Sequence, residues 1–259
     1  MFDVDFYLRK LGYSGPREPS LTLLNELQKR HLMTIPFDNS LNADAERGFD
    51  VLLEVEIDDD AVFKAVVEGG RGGVCYELNG LFRRLLTELG FHVRILAAAV
   101  IQVNGTYGPE LEHIFNCVEL GGERYLVDVG LAGPSYLEPL RVTDEIQEQY
   151  GCQYRLVEED GYQVLQRRAK GGDWSPSYRF EDRYRQISDW GRLVPGIADF
   201  PLEQVLIGTR IHSRAFENGQ MVLIGKRYLR VEDGVEEIKV LTSPSAFKQV
   251  VRQILTPGA

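Results

Sequence analysis

Residues 71–100, RGGVCYELNGLFRRLLTELGFHVRILAAAV, change their hydrophobic period halfway, and that change sets the fold class. Leu78, Leu81, Phe82, Leu85, Leu86 and Leu89 recur at i, i+3, i+4, i+7, i+8 and i+11, the apolar face of one helix. Gly90 supplies the permissive residue that closes such a helix. From His92 to Val103 the pattern is that of a strand. Arg71-Gly72-Gly73-Val74 lead directly into the helix, which places Cys75 at its start. The first N–H groups of a helix lack intrahelical acceptors and carry partial positive charge, so a thiolate is stabilised there. The thiolate is the nucleophilic form. A small cysteine buried at a helix start is the plainer reading of the same residue.

The next informative stretch is HIFNCVELGGERYLVDVG, residues 113–130. It reads as two strands, Ile114 to Leu120 and Tyr125 to Val129, turning at Gly121-Gly122. If Leu120 pairs with Glu123, Asp128 falls opposite Phe115. His113 shares the face of Phe115, because side chains alternate along a strand. His113 and Asp128 then become diagonal neighbours within reach of each other. A histidine held by a carboxylate is the base half of a nucleophilic triad, with Cys75 as nucleophile. A one-residue slip would put the two on opposite faces. Taken singly, His113 also reads as a strand-edge histidine and Asp128 as a strand-end aspartate.

Ser20 is placed to cap a helix carrying Leu21, Leu24, Leu27 and Leu32, and Asp60 to open one carrying Val62, Phe63, Val66 and Val67. Beyond the first hairpin, Tyr154 to Val157 and Tyr162 to Gln166 form a second around Asp160-Gly161. Strands are expected at Val205 to Ile211 and Met221 to Val231. A last helix, opened by Ser243-Pro244, carries Phe247, Val250, Val251, Ile254 and Leu255 on one face. Helices first, strands next and a mixed end make an α+β protein of about three lobes. Cys117 and Cys152 read as core fillers. His31, His92 and His212 have no partner at a useful spacing, and Trp174 and Trp190 pack or line a cleft.

Composition narrows the function. The chain has 259 residues, 44% hydrophobic and 26% charged, with net charge -10 and no basic block. That charge argues against nucleic acid, although a local pocket can still bind an anion such as coenzyme A. Three cysteines without CxxC or HxxxH spacing fit a reducing compartment and no metal site. The longest apolar run, Ile95 to Ile101, is far below the ~20 residues that span a bilayer. The acidic start, Met1-Phe2-Asp3-Val4-Asp5, does not look like a secretory signal. A cytoplasmic protein without membrane partners is expected.

Arg71-Gly72-Gly73-Val74-Cys75-Tyr76-Glu77-Leu78-Asn79-Gly80 resembles the arylamine N-acetyltransferase signature RGGxCxELN. Ile35-Pro36-Phe37-Asp38-Asn39 resembles that family's IPFEN segment, and His113 with Tyr125-Leu126-Val127-Asp128-Val129-Gly130 its H…YLVDVG pair. The resemblance is close over residues 1–140. It implies a helical N-terminal lobe (1–90), a β-barrel middle lobe (91–195) and an α/β C-terminal lid (196–259), with a papain-like Cys-His-Asp site where the first two meet. It further implies catalysis by Cys75, His113 and Asp128, support from Arg71, Glu77 and Asn79, and a substrate pocket including Phe37, Val74, Gly130 and Leu131. No cofactor would be bound permanently. The donor would be acetyl-coenzyme A and the acceptor an arylamine or hydrazine, in a ping-pong cycle. A related possibility is an amide synthase like those of ansamycin biosynthesis, taking a polyketide chain from an acyl carrier protein thioester onto an aryl amine. Cysteine hydrolases and transglutaminases share the residue set, and an inactive scaffold would be expected to lose part of it. Departures from the family pattern are Asp38 for glutamate, Ser40 for leucine, Leu131-Ala132-Gly133 where an aromatic often follows VDVG, and no Ser/Thr-rich stretch within Pro201 to Arg210.

Overall fold

The computed structural model describes residues 1–40, 58–102, 104–192 and 209–256. Helices α1 (Val4–Lys10) and α2 (Leu21–Thr34) begin on side-chain caps, Asp3 accepting from Phe6 N and Ser20 from Leu23 N. The helix expected from Asp60 starts slightly earlier, as α3 (Asp59–Phe63), because Asp58 Oδ1 accepts from Asp60 N at 3.0 Å. It continues into a π-helical turn, Lys64–Glu68. Helix α4 (Cys75–Glu88) begins at the predicted residue. These helices bury Tyr7, Leu24, Leu27, Phe63, Leu81 and Phe82 among others in one core.

Eight strands form a nearly closed sheet in the order β5-β4-β3-β2-β9-β8-β7-β6. They are β2 (His92–Val100), β3 (His113–Leu120), β4 (Glu123–Val127), β5 (Leu140–Arg141), β6 (Gln147–Gln149), β7 (Cys152–Glu159), β8 (Tyr162–Arg168) and β9 (Ser175–Phe180). Leu120 pairs with Glu123 and Asn116 with Val127, the register implied by the two-glycine turn. The edges β5 and β6 do not pair through their backbones. Gln147 bridges them instead, its Oε1 accepting from Arg141 N at 2.8 Å and its Nε2 donating to Arg141 O at 2.9 Å. Gln149 does the same with Glu138, accepting from its N–H at 3.0 Å and donating to its carbonyl at 2.7 Å. Side-chain amides thus replace the missing ladder and cover an edge.

A second sheet runs β1-β10-β11-β12-β13 and backs helix α5 (Pro244–Leu255), whose Ser243 cap accepts from Ala246 N. Strand β1 is only Phe37–Asp38, while β10 (Ile211–Phe216), β11 (Gly219–Ile224), β12 (Arg227–Glu232) and β13 (Val235–Val240) come from the last fifth of the chain.

Several expectations change. The strand drawn from Met221 to Val231 is two, broken where Gly225 takes φ 56 in a tight turn. The strand drawn from His92 ends at Val100, and Val103 lies outside the described residues. The strand expected at Val205 to Ile211 falls mostly outside them too, as does most of Pro201 to Arg210; β10 begins at Ile211. Strands β5, β6, β9 and β13 were not expected. The first two are short, and β13 is exposed along its whole length, so no alternation marks it. No helix among the described residues is long and apolar enough to cross a membrane.

Candidate active site

Glycine lets the chain approach Cys75 closely. Gly73 N donates to Pro36 O at 3.2 Å and Asp38 N to Gly73 O at 3.0 Å, so the RGG segment runs beside β1. A Cβ on Gly72 would lie 2.5 Å from Asp38 Cβ, which leaves glycine as the residue that fits. Val74 has no side-chain oxygen with which to cap α4. Glu77 compensates by accepting from Val74 N at 3.1 Å, and it is held in turn by an ion pair with Arg71. Two of the three expected supporting residues therefore fix the start of the nucleophile's helix.

Asn79 makes the connection to the barrel. Its Nδ2 donates to Ile114 O at 2.8 Å and to Asp128 Oδ1 at 2.9 Å, and its Oδ1 accepts from Val129 N at 3.0 Å. Asn116 Nδ2 donates back to Asn79 O at 2.9 Å. All these groups are buried, so each bond is costly to lose. Asp128 lies one step past the last β3–β4 pair, and its Oδ2 is 2.7 Å from His113 Nε2. The Cys75 sulfur is close enough to the imidazole to raise its pKa. Cys75 is partly exposed, whereas His113 and Asp128 are buried.

The charges follow. Burial alone would push the His113 pKa down, but the Asp128 carboxylate and the Cys75 sulfur outweigh it and hold the imidazole above its ordinary range. Burial would push Asp128 up; His113, Asn79 and the Gly130 N–H outweigh it and hold Asp128 below the usual carboxylate range. Each group thus favours the charged form of the other. The imidazole ring stacks on Phe115, centroids 5.9 Å apart, and meets Tyr178 at the same separation.

The residues expected to line a pocket fall in different places. Val74, Cys75 and Trp190 pack against one small cluster of Tyr76, Ile95 and Ile114. A Cβ on Gly130 would lie 2.7 Å from Cys75 Cα and from Asn79 Nδ2, so Gly130 is the floor against which Cys75 sits. Phe37 is in the helical core and Leu131 in the barrel core. Trp190, expected to pack or line a cleft, packs on Tyr76 and donates from Nε1 to Leu111 O at 2.9 Å; sequence reading missed Tyr178, Phe115 and Asn116 around the histidine and asparagine. Only Asn116 carried a signal, a polar residue within an otherwise apolar strand. The histidines left without partners also have them: His31 with the Tyr7 hydroxyl at 3.0 Å, His92 with Glu119 at 2.5 Å and His212 with Asp38 at 3.1 Å.

A thiol, an imidazole and a carboxylate in series, at the first turn of a helix, can activate sulfur as a nucleophile and move a proton to or from the group it attacks. The N-acetyltransferase family model matches residues 20–256. Proansamycin X synthase of Amycolatopsis mediterranei is 42% identical over 258 residues, 99% of this chain and 98% of the relative. The arylamine N-acetyltransferase / N-hydroxyarylamine O-acetyltransferase of Salmonella typhimurium is 31% identical over 253 residues, 95% of this chain and 86% of that one. Among solved structures, Mycobacterium marinum arylamine N-acetyltransferase in complex with CoA superposes with a TM-score of 0.79 at 27% identity, covering 98% of this chain and 93% of the other.

Proposed function

The chain belongs to the arylamine N-acetyltransferase family of acyltransferases, and on that footing we propose that it moves an acyl group from a thioester to an aromatic amine or hydrazine through Cys75. The observation carrying this reading is the buried series Asp128–His113 at 2.7 Å, continued to the Cys75 thiol. In the first half-reaction the Cys75 sulfur attacks the thioester carbonyl carbon. The bond from that carbon to the donor sulfur breaks, and the donor leaves as a thiol with the proton held on His113. In the second, the amine nitrogen attacks the acyl carbon, His113 accepts its proton, and the bond to Cys75 sulfur breaks. Asp128 keeps the imidazole oriented and its cation stabilised in both halves. Backbone N–H groups at the first turn of α4 would receive the oxyanion. With acetyl-coenzyme A as donor this is a ping-pong acetyltransferase, and the Mycobacterium marinum protein's complex with CoA supports that donor.

One finding favours a second reading. The 42% identity to a proansamycin X synthase spans almost the whole of both chains and exceeds the 31% to the Salmonella acetyltransferase. On this reading the protein is an amide synthase: the acyl group is a longer chain delivered as a carrier-protein thioester, and an aryl amine is still the acceptor. The same Cys75 chemistry serves both.

The deciding experiment adds acetyl-coenzyme A without amine and reads the mass of the intact chain and of the Cys75 peptide. One acetyl group on Cys75, discharged by an added arylamine, is expected. An unlabelled Cys75, with turnover persisting in Cys75→Ala, would overturn the covalent route. Release of free peptides from a peptide substrate would move the protein to the hydrolases.

A further inference from the structure

Charge at the C-terminal end runs against the sign of the whole molecule. The protein carries net charge -10, yet no Asp or Glu follows Glu237. Helix α5 contains Lys248 and Arg252, four residues apart and hence on one side of the helix. Beside them Phe247, Val251 and Leu255 form an apolar wall that is only partly buried. Together they line a groove of about 1010 Å3, whose other wall is Thr209-Arg210, Gly225-Lys226 and Leu241.

Two features set this groove apart from ordinary surface. Its lining holds four cations, Arg210, Lys226, Lys248 and Arg252, and no carboxylate, whereas cations such as Arg30, Arg84, Arg124 and Lys239 sit against Glu26, Glu88, Asp182 and Glu237. Lys226, Lys248 and Arg252 are exposed and have no carboxylate partner among the described residues. Hydrogen bonds also lead from one end of the groove to the segment that precedes Cys75. At its Thr209 end, the Thr209 carbonyl accepts from Asn39 Nδ2 at 2.9 Å and Ile211 N donates to Asn39 Oδ1 at 2.7 Å. Asn39 follows Asp38, whose N–H holds the Gly73 carbonyl two residues before Cys75.

We propose that this groove docks an acidic, helical acyl carrier protein that presents the thioester to Cys75. The inference rests on the second reading above and adds the surface that reading needs. An apolar floor with unpaired cations on its rim is complementary to an amphipathic helix whose polar side is acidic. The exposed, spaced-out cations suit a protein surface better than a nucleotide, whose phosphates call for convergent, sheltered donors. Once docked, the carrier's flexible thiol arm delivers the acyl carbon to Cys75, and the exchange is the first half-reaction already described: the Cys75–acyl bond forms and the carrier thiol leaves protonated.

The test uses the full chain and an acidic acyl carrier protein whose phosphopantetheine arm carries an acetyl group. Lys248→Glu with Arg252→Glu reverses two exposed charges while leaving the core intact, and an unchanged Tm checks this. The expected result is a KM at least tenfold higher for the acetylated carrier, with KM for acetyl-coenzyme A within twofold of the parent. Raised salt should weaken carrier use by the parent protein in the same direction. An equal rise in both KM values would overturn the proposal by showing that the groove serves coenzyme A. Unchanged KM for a carrier that is used well would place docking elsewhere. Acetyl transfer from coenzyme A, with neither transfer from the carrier nor binding of the unacylated carrier, would sink the second reading itself and this proposal with it.

Discussion

Asp128 shows how much one side chain can carry in this protein. Its two oxygens divide their work: Oδ2 faces His113, while Oδ1 accepts from Asn79 Nδ2 and Gly130 N. Asp128→Asn keeps the shape but removes the charge that holds His113 protonated and swaps an acceptor for a donor on one side. Burial would then be opposed only by the Cys75 sulfur, so the His113 pKa should drop, as histidine NMR titration would read. Acyl transfer should fall by about two orders of magnitude or more, in line with loss of the orienting carboxylate in other triads. A variant with near-parental turnover would mean that Asp128 is a structural carboxylate. His31 makes the opposite point. Burial against Tyr7 and Phe82 pushes its pKa down to about 3, so it is neutral when folded. Unfolded, it titrates near about 6.5. Between those values only the unfolded chain takes up the proton, so His31 lowers stability as pH falls from about 6.5 towards 3 and contributes nothing above that window. His31→Gln, able to keep a hydrogen bond to Tyr7, should flatten that acid limb in Tm measured from pH 7 to pH 4. A limb of unchanged slope would assign the acid sensitivity to other groups.

At the scale of elements, closure of the barrel depends on two amides. Gln147 and Gln149 each make paired donor and acceptor bonds to the backbone across the gap between β5 and β6. Removing both by Gln147→Ala with Gln149→Ala strands five part-buried backbone groups, the N–H and C=O of Arg141 and of Glu138 and the N–H of Leu137, at about 0.5–1.5 kcal/mol for each net hydrogen bond lost. Hydrogen exchange at Arg141 and Glu138 should quicken, while Cys75 keeps its reactivity, because the bonds that hold Asp128, to His113, Asn79 and Gly130, involve neither β5 nor β6. Exchange rates equal to the parent's would show that the amides are incidental. The β3–β4 hairpin was legible from the sequence because a two-residue glycine turn fixes register locally. Helices α2, α4 and α5 were legible for a similar reason: each has a cap or a glycine-led start and an apolar face of helical period. Strands β5, β6 and β13 lacked any such local mark. Their places follow from partners supplied by distant parts of the chain.

Across the whole molecule, the two sheets meet at a pair of glycines. Gly151 and Gly234 have φ 71 and 76, and a Cβ on Gly234 would run into the Gly151 carbonyl. Lys170 N donates to Gly234 O at 2.8 Å, and the Arg167–Glu236 ion pair, 2.6 Å long, lies beside this contact. Gly234→Ala would strain a left-handed residue and push the sheets apart, at about 1–3 kcal/mol. For a chain of this size that lowers Tm by roughly 2–4 °C per kcal/mol. A Tm within a degree of the parent's would show that the two turns can part without cost.

By itself the sequence determined the helical period, the caps, the hairpin register and the alignment of His113 with Asp128, all of which depend on residues within a few turns or one tight loop. It also determined that Cys75 opens a helix. Only the tertiary structure decided that Asn79 ties that helix to Asp128, that Trp190 packs against Tyr76 and Tyr178 against the imidazole, and that β1 joins a sheet built from the C-terminal end. It alone put Lys226 across a groove from Lys248 and Arg252. Those relations join residues 20 to more than 170 positions apart, which no local period encodes; they are fixed by buried hydrogen bonds and packing that exist only once the lobes have assembled.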